Sequence, residues 1–272
     1  MIWAEHDVYR ENREYRRMAD QPWAFQRIDE SDDAKFYAVD RMISHLDATA
    51  LETVERSLGS LIVEDRPEVL DLMASIDSHL PESLRTSRVV GLGLNGNELA
   101  ANPRLDERVI HDLNREPELP FSDASFDVVI NTVSIQYVVH PDRLFREVGR
   151  ILRPGGLHVV VFSNRFFPPK AIKLWQQLDD HERLRLVVDY FEQSDLFGPT
   201  EVFLSMGRPR PATDRYANTG LPSDPVFAVW ADRRGAGAKG RVRPLPNDAI
   251  DYPDEDTLRR RTERIGETRE CP

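Results

Sequence analysis

Apolar residues along this chain follow two alternating rhythms. Short, nearly continuous apolar runs occur at Glu68–Leu72, Arg88–Leu94, Arg108–Asp112, Phe126–Thr132 and His158–Ser163, with two more at Glu201–Met206 and Pro225–Ala231. Runs of this length bounded by turn residues predict buried strands. Between them the spacing becomes helical. Leu51, Val54, Leu58 and Leu61 recur at i, i+3, i+7 and i+10, and Asp47 stands where an N-cap belongs. Leu144, Val148, Ile151 and Leu152 share a second helical face, which Arg153-Pro154-Gly155-Gly156 is expected to stop. Ala171–Phe191 predicts a long helix with a candidate break at Asp179-Asp180. Alternation of this kind, with continuous rather than alternating strands, predicts an α/β fold: a mostly parallel, doubly wound sheet with helices on both faces.

The stretch Pro117–Gly156 is the most specific. Leu119-Pro120-Phe121 precedes Ser125-Phe126-Asp127, then a strand, an amphipathic helix and Arg-Pro-Gly-Gly. In that order these motifs resemble the class I S-adenosylmethionine-dependent methyltransferases of the type 11 kind. The resemblance covers roughly residues 60–232. It implies a seven-stranded Rossmann-like sheet whose last strand is antiparallel. The expected organisation is an N-terminal arm and helical cap over 1–59, a methyltransferase-like domain over 60–233 and a flexible polar tail over 234–272. A short helix at Thr257–Ile265 is one option within that tail. The arm carries Trp3, Tyr9, Tyr15, Trp23 and Phe25, too many aromatics for a disordered tail, so it is expected to cover the active-site face or meet a partner.

The resemblance also assigns a cofactor, S-adenosylmethionine, and places its contacts. Asp71, Leu72, Met73, Ala74 and Ser75 would face the methionine end, Gly93 and Asn95 the ribose, Asp112 and Leu113 the adenine, with Asn131 nearby. Met73, Ser75 and Asp77 stand where the family has three glycines, and Gly93 stands where it has a ribose-binding acid. On the ordinary loop path a side chain at positive φ costs roughly 1–2 kcal/mol, so the loop is reshaped or the affinity is low. The run Ser78-His79-Leu80-Pro81 is similar to a subgroup that also lacks the glycines, which favours reshaping. His79, Tyr137, Asn164 and Arg165 follow strand ends and are candidates for the substrate; no catalytic residue is assigned.

Two rival readings stay open. One is a methyltransferase-like binding or regulatory protein without catalysis. The other, more remote, takes Gly91-Leu92-Gly93-Leu94-Asn95-Gly96 as a dinucleotide fingerprint with Asp112 as its ribose acid, and hence NAD(P). Composition narrows the partners. The 272 residues carry a net charge of −11, which argues against nucleic acid, and one cysteine excludes a disulfide framework or a cysteine zinc site. No spacing suggests a metal. The start Met-Ile-Trp-Ala-Glu-His-Asp lacks the features of a signal peptide, and no apolar run reaches membrane length. A cytoplasmic protein acting on a small molecule, away from membranes, is the expectation; the oligomeric state is not readable.

Overall fold

The computed structural model describes residues 13–236 and 241–244. Trp3, Tyr9 and Thr257–Ile265 lie outside the described residues. Seven strands form one sheet in the order β3-β2-β1-β4-β5-β7-β6. They are β1 Glu68–Leu72, β2 Arg88–Gly93, β3 Glu107–Ile110, β4 Phe126–Thr132, β5 Leu152–Phe162, β6 Glu201–Ser205 and β7 Val226–Asp232. The first five pair in parallel, and β7 runs antiparallel to both β5 and β6. The sheet reverses winding between β1 and β4, which opens a crevice beyond their carboxyl ends.

The helices are α1 Arg13–Ala19, α2 Asp33–Phe36, α3 Ala48–Leu61, α4 Gly96–Ala101, α5 Pro141–Ile151, α6 Lys173–Gln177 and α7 Asp180–Ser194. Asp47 caps α3 by accepting from Ala50 N–H, as its position suggested. The expected long helix is two. Asp179 accepts from Glu182 N–H, and the Glu182 side chain accepts from Asp179 N–H, a capping box that starts α7 afresh. Two apolar layers flank the sheet. One contains Leu51, Val54, Leu58, Val69 and Val128; the other contains Phe145, Val148, Phe191 and Phe227.

One boundary differs from expectation. Arg153-Pro154-Gly155-Gly156 does not separate helix from strand, because β5 begins at Leu152, directly after α5. Gly155 takes φ 79° and its N–H donates to Arg233 O, while Arg233 N–H donates to Gly156 O. The two glycines are thus paired with the chain leaving β7. Arg153 reaches Glu68 at 2.6 Å and Asp127 at 2.8 Å, tying β5 to the starts of β1 and β4. Arg150 donates to the carbonyls of Leu119 and Phe121, and Glu147 accepts from Leu119 N–H. The Leu-Pro-Phe loop and the end of α5 are therefore one hydrogen-bonded unit, which explains their joint appearance in the sequence.

The arm also has a place. Tyr15 belongs to the core, with Trp23 and Phe25 packed against it. Lys173 N–H and Leu174 N–H donate to Gln26 O and Ala24 O, and Asp29 N–H donates to Pro169 O. The arm therefore lies on the segment that follows β5.

Candidate active site

A cavity of about 400 Å³ opens at the carboxyl ends of the parallel strands. Its floor comes from the loop after β1. Of the three positions expected to hold glycine, Met73 alone has positive φ, at 56°; His79, further on, has 55°. Side chains build this loop where glycines ordinarily would. Ser75 Oγ donates to Glu98 Oε2 at 2.6 Å, and Asn102 Nδ2 donates to Ser75 O and Ser78 Oγ. Ala74 N–H donates to Leu92 O, pulling the loop over the end of β2. A side chain at Gly93 would meet Ala74 O at 2.5 Å. This loop and a ribose acid at position 93 therefore exclude one another, and the missing glycines and the missing acid are one structural change.

The arm forms the roof. Lys170, fully buried, donates to Ser31 O and pairs with Asp29 and Asp33 at 3.2 and 3.1 Å. Asp33 also accepts from Arg27 at 2.6 Å and Asn114 Nδ2 at 3.0 Å. Burial raises the Asp33 pKa, but hydrogen bonds from Asn114, Arg27 and Lys170 outweigh it and hold the carboxyl below its ordinary value. Beyond α2, Asn95 Nδ2 donates to Tyr37 O and Asp40, and Glu98 Oε1 accepts from Arg41 N–H. Asn95 Oδ1 meanwhile accepts from Asn97 and Glu98 N–H at the start of α4. The Asn95 side chain, assigned to a ribose above, is thus occupied in fastening roof to wall.

Asp71 Oδ2, Thr132 Oγ1 and Tyr37 Oη are buried polar atoms of the cavity wall with no hydrogen-bond partner among the described residues. Such atoms are costly unless a ligand or water satisfies them. Asp71 is fully enclosed. Burial pushes its carboxyl up to about 7 despite a hydrogen bond from Ser78 and the nearby His79. His45 also faces the cavity, edge-on to Phe167 at 5.2 Å. Desolvation, Arg41 and His79 hold its pKa below the ordinary value, so the ring is neutral at pH 7. Burial pushes the Tyr137 phenol up to about 12, and its oxygen accepts from Phe167 N–H.

The cavity brings together Asp71, Met73, Ala74, Ser75, Gly93, Asn95, Asp112 and Leu113 from the expected cofactor set, and His79, Tyr137 and Arg165 from the expected substrate set. Asp112 Oδ1 accepts from Asn114 N–H, so the residue fixes a turn as well as lining the wall. Three expected contacts fall elsewhere. Leu72 is wholly buried in the core. Asn131 lies under the floor, donating to Ser134 Oγ, and Asn164 is exposed outside the lining. Arg41 and His45, which precede the domain and could be expected to close over the site, line the wall, whereas Glu98, Tyr37, Thr132 and Arg215 do so without having been anticipated. Of these, Glu98 carried a signal, since Asn95-x-x-Glu98 has capping-box spacing.

The glycine fingerprint does not form a phosphate loop. Gly91 and Gly93 are strand residues of β2, with Leu105 Cδ1 2.3 Å from where a Gly91 Cβ would lie. Among the described residues no cluster suits a metal ion, and no helix is long and apolar enough to cross a membrane.

Strand order and cavity define a Rossmann-like fold of the methyltransferase type, with its ligand crevice at the switch point. Residues 75–160 match the family described as methyltransferase domain. It is 31% identical over 137 residues to a malonyl-[acyl-carrier protein] O-methyltransferase of Marinomonas, covering 48% of this chain and 51% of that one. It is 42% identical over 62 residues to a 27-O-demethylrifamycin SV methyltransferase of Amycolatopsis mediterranei, covering 22% of each. The matches thus span about half or less of these relatives. Among solved structures, a Mesorhizobium loti S-adenosylmethionine-dependent methyltransferase aligns with TM-score 0.44 at 20% identity, covering 67% of this chain and 100% of that one. A Haemonchus contortus phosphoethanolamine N-methyltransferase, solved with S-adenosylhomocysteine, aligns with TM-score 0.47 at 16% identity, covering 69% and 53%.

Proposed function

We propose that this protein transfers the methyl group of S-adenosylmethionine to a small-molecule acceptor. The observation that carries this reading is the trio of unpartnered polar atoms in a cavity of the right size, with a buried carboxylate at its floor. Asp71 and the 72–75 loop serve the amino-acid end, where a cationic ammonium satisfies Asp71 Oδ2 and favours its ionised form. Backbone at Gly93 and Asn95 borders the ribose, and Asp112–Leu113 the adenine. Bound there, the cofactor would supply an electrophilic sulfonium methyl carbon, open to an acceptor lone pair, with the thioether sulfur as leaving group. The chain's own part is chiefly positioning. The roof held by Lys170–Asp33 and Asn95–Asp40 excludes water, and neutral His45 accepts the proton released by a hydroxyl or amine acceptor.

Thermal melting with S-adenosylmethionine, S-adenosylhomocysteine, NAD and NADP tests the reading. A ligand at a hundred times Kd adds about 2.7 kcal/mol, which for a chain of this size raises Tm by roughly 5–10 °C. A shift with the first two is expected. None at millimolar concentration, or a shift with NAD alone, refutes it.

The closed space at Gly93 also supports a second reading, a binding protein without turnover. It predicts S-adenosylhomocysteine binding with no methyl transfer across an acceptor panel. Transfer that is lost in His45→Ala, with binding intact, excludes it.

A further inference from the structure

The cavity is electrically polar along its length. Asp71, Asp77, Glu98 and Asp112 line the side fed by β1, β2 and β3. On the side fed by β5 and the segment before β7 the wall carries Arg165 and Arg215, beside Phe166, Phe167 and Tyr137. A third cation, Arg41, is already committed: its guanidinium donates to Phe36 O and Val39 O and lies 4.6 Å from the Phe36 ring centroid.

Arg165 and Arg215 are differently placed. Arg165 donates through Nε to Asp224 Oδ1 at 3.0 Å. Asp224 is itself fixed, since it is buried, accepts from Arg210 at 2.8 Å and from Asp47 N–H, and donates its own N–H to Asp47 Oδ2. The inner edge of the Arg165 guanidinium is therefore anchored. Its two terminal nitrogens bond to no acceptor among the described residues. Arg215 stacks on Tyr216, 4.6 Å from the ring centroid, and forms no ion pair among the described residues. The Arg165 guanidinium lies 5.7 Å from the same centroid. Both guanidinium groups thus border one ring and line one cavity, and a planar fork held by its inner edge suits two parallel hydrogen bonds to an oxyanion.

We propose that the methyl acceptor carries a carboxylate or phosphate, that Arg165 and Arg215 clamp this group at the cavity mouth, and that Phe166, Phe167 and Tyr137 hold its apolar body. The clamp sets the acceptor's register, so that the nucleophilic atom lies towards His45 and the cofactor side. This inference deepens the methyltransferase reading and rests on it for the word acceptor. The anion clamp itself is testable without that reading.

Benzoate, phenyl phosphate and the neutral benzamide are titrated calorimetrically into the full chain, with and without saturating S-adenosylhomocysteine. Both acids should bind at least about tenfold more tightly than benzamide, and the better of them identifies carboxylate or phosphate. Arg215→Gln and Arg165→Gln should each weaken the acids about tenfold and leave benzamide and S-adenosylhomocysteine unchanged; Arg165→Lys should recover part of the loss. Because Arg215 makes no hydrogen bond among the described residues, its variant separates recognition from folding. Equal affinity for acid and amide, no binding of either acid at millimolar concentration, or acid binding indifferent to Arg215→Gln overturns the clamp. If the arginine variants instead lose S-adenosylhomocysteine, the clamp belongs to the cofactor's carboxylate and the proposal falls. If wild-type protein binds no S-adenosylhomocysteine, the methyltransferase reading fails, and the acid-to-amide ratio still decides the clamp.

Discussion

The two halves of the sheet are built by opposite rules. In the β4–α5–β5 half, local chemistry and tertiary need agree. Arg150 and Glu147 satisfy the Leu-Pro-Phe backbone, Arg153 ties three strand starts together, and Phe145 packs edge-on to Phe191 at 4.9 Å. In the β1–β2 half they conflict. Met73 and His79 occupy left-handed backbone, and Asp71 is buried with one oxygen unmatched. Left-handed side chains also stand at Ala124 and Val133 on either side of β4, so what sets the β1–β2 half apart is a buried carboxylate facing the cavity.

The largest expected effect lies in the conventional half. Phe145→Ala should cost about 3–5 kcal/mol in denaturant unfolding, since the side chain is wholly buried among four aromatic rings. A loss below about 1 kcal/mol would show that this half is not the rigid one.

Asp71 follows. Burial holds its folded-state pKa at about 7, well above the ordinary carboxyl value of 3.8. Protonation therefore favours the folded state, and the stabilisation is complete below about pH 4 and lost as pH rises through 7. At about 1.4 kcal/mol per pH unit the upper bound is on the order of 4 kcal/mol. Asp71→Asn should stabilise the ligand-free protein at pH 8 and weaken S-adenosylhomocysteine binding. A variant less stable than wild type at pH 8 would place the strain elsewhere.

His158 supplies the opposite sign in the other half. Burial among Phe145, Phe191 and Phe197 pushes it down to about 4, despite a hydrogen bond with Val129 O. The unfolded chain then binds the proton more readily, so stability is present above about pH 6.5 and falls as pH drops towards 4. The loss is about 3 kcal/mol. His158→Phe should flatten that acid limb in pH-dependent melts; an unchanged limb would refute the assignment.

Met73→Gly is the smallest. Relieving one left-handed side chain is worth about 1 kcal/mol, partly offset by lost packing of Met73 on the core. A rise in Tm of about 2–4 °C is expected, and a fall would mean that packing outweighs strain.

The same contrast decides what was legible in the sequence. Strand periodicity and the block from Leu119 to Gly156 identified β1 and β4 to the residue, because local pattern and fold agree there, and the antiparallel β7 was implied by the family resemblance alone. The start of β5 differs from expectation because Gly155 and Gly156 pair with Arg233, contacts across 78 and 77 residues. The reshaped loop was anticipated as a departure from glycines. Its agents, Glu98 and Asn102, were not, since each acts on a loop more than twenty residues away. The roof residue Tyr37 could not be placed at the site by spacing, because Asn95 and Glu98, more than fifty residues on, fasten its segment there.

Calorimetric titration of S-adenosylhomocysteine at pH 6 and pH 8 tests the central claim most directly. If an ionised Asp71 receives the ligand's ammonium, affinity should be about tenfold higher at pH 8 than at pH 6, and Asp71→Asn should erase that dependence while weakening binding at pH 8. Binding that is absent at both pH values, or equally strong at both and untouched by Asp71→Asn, would contradict it.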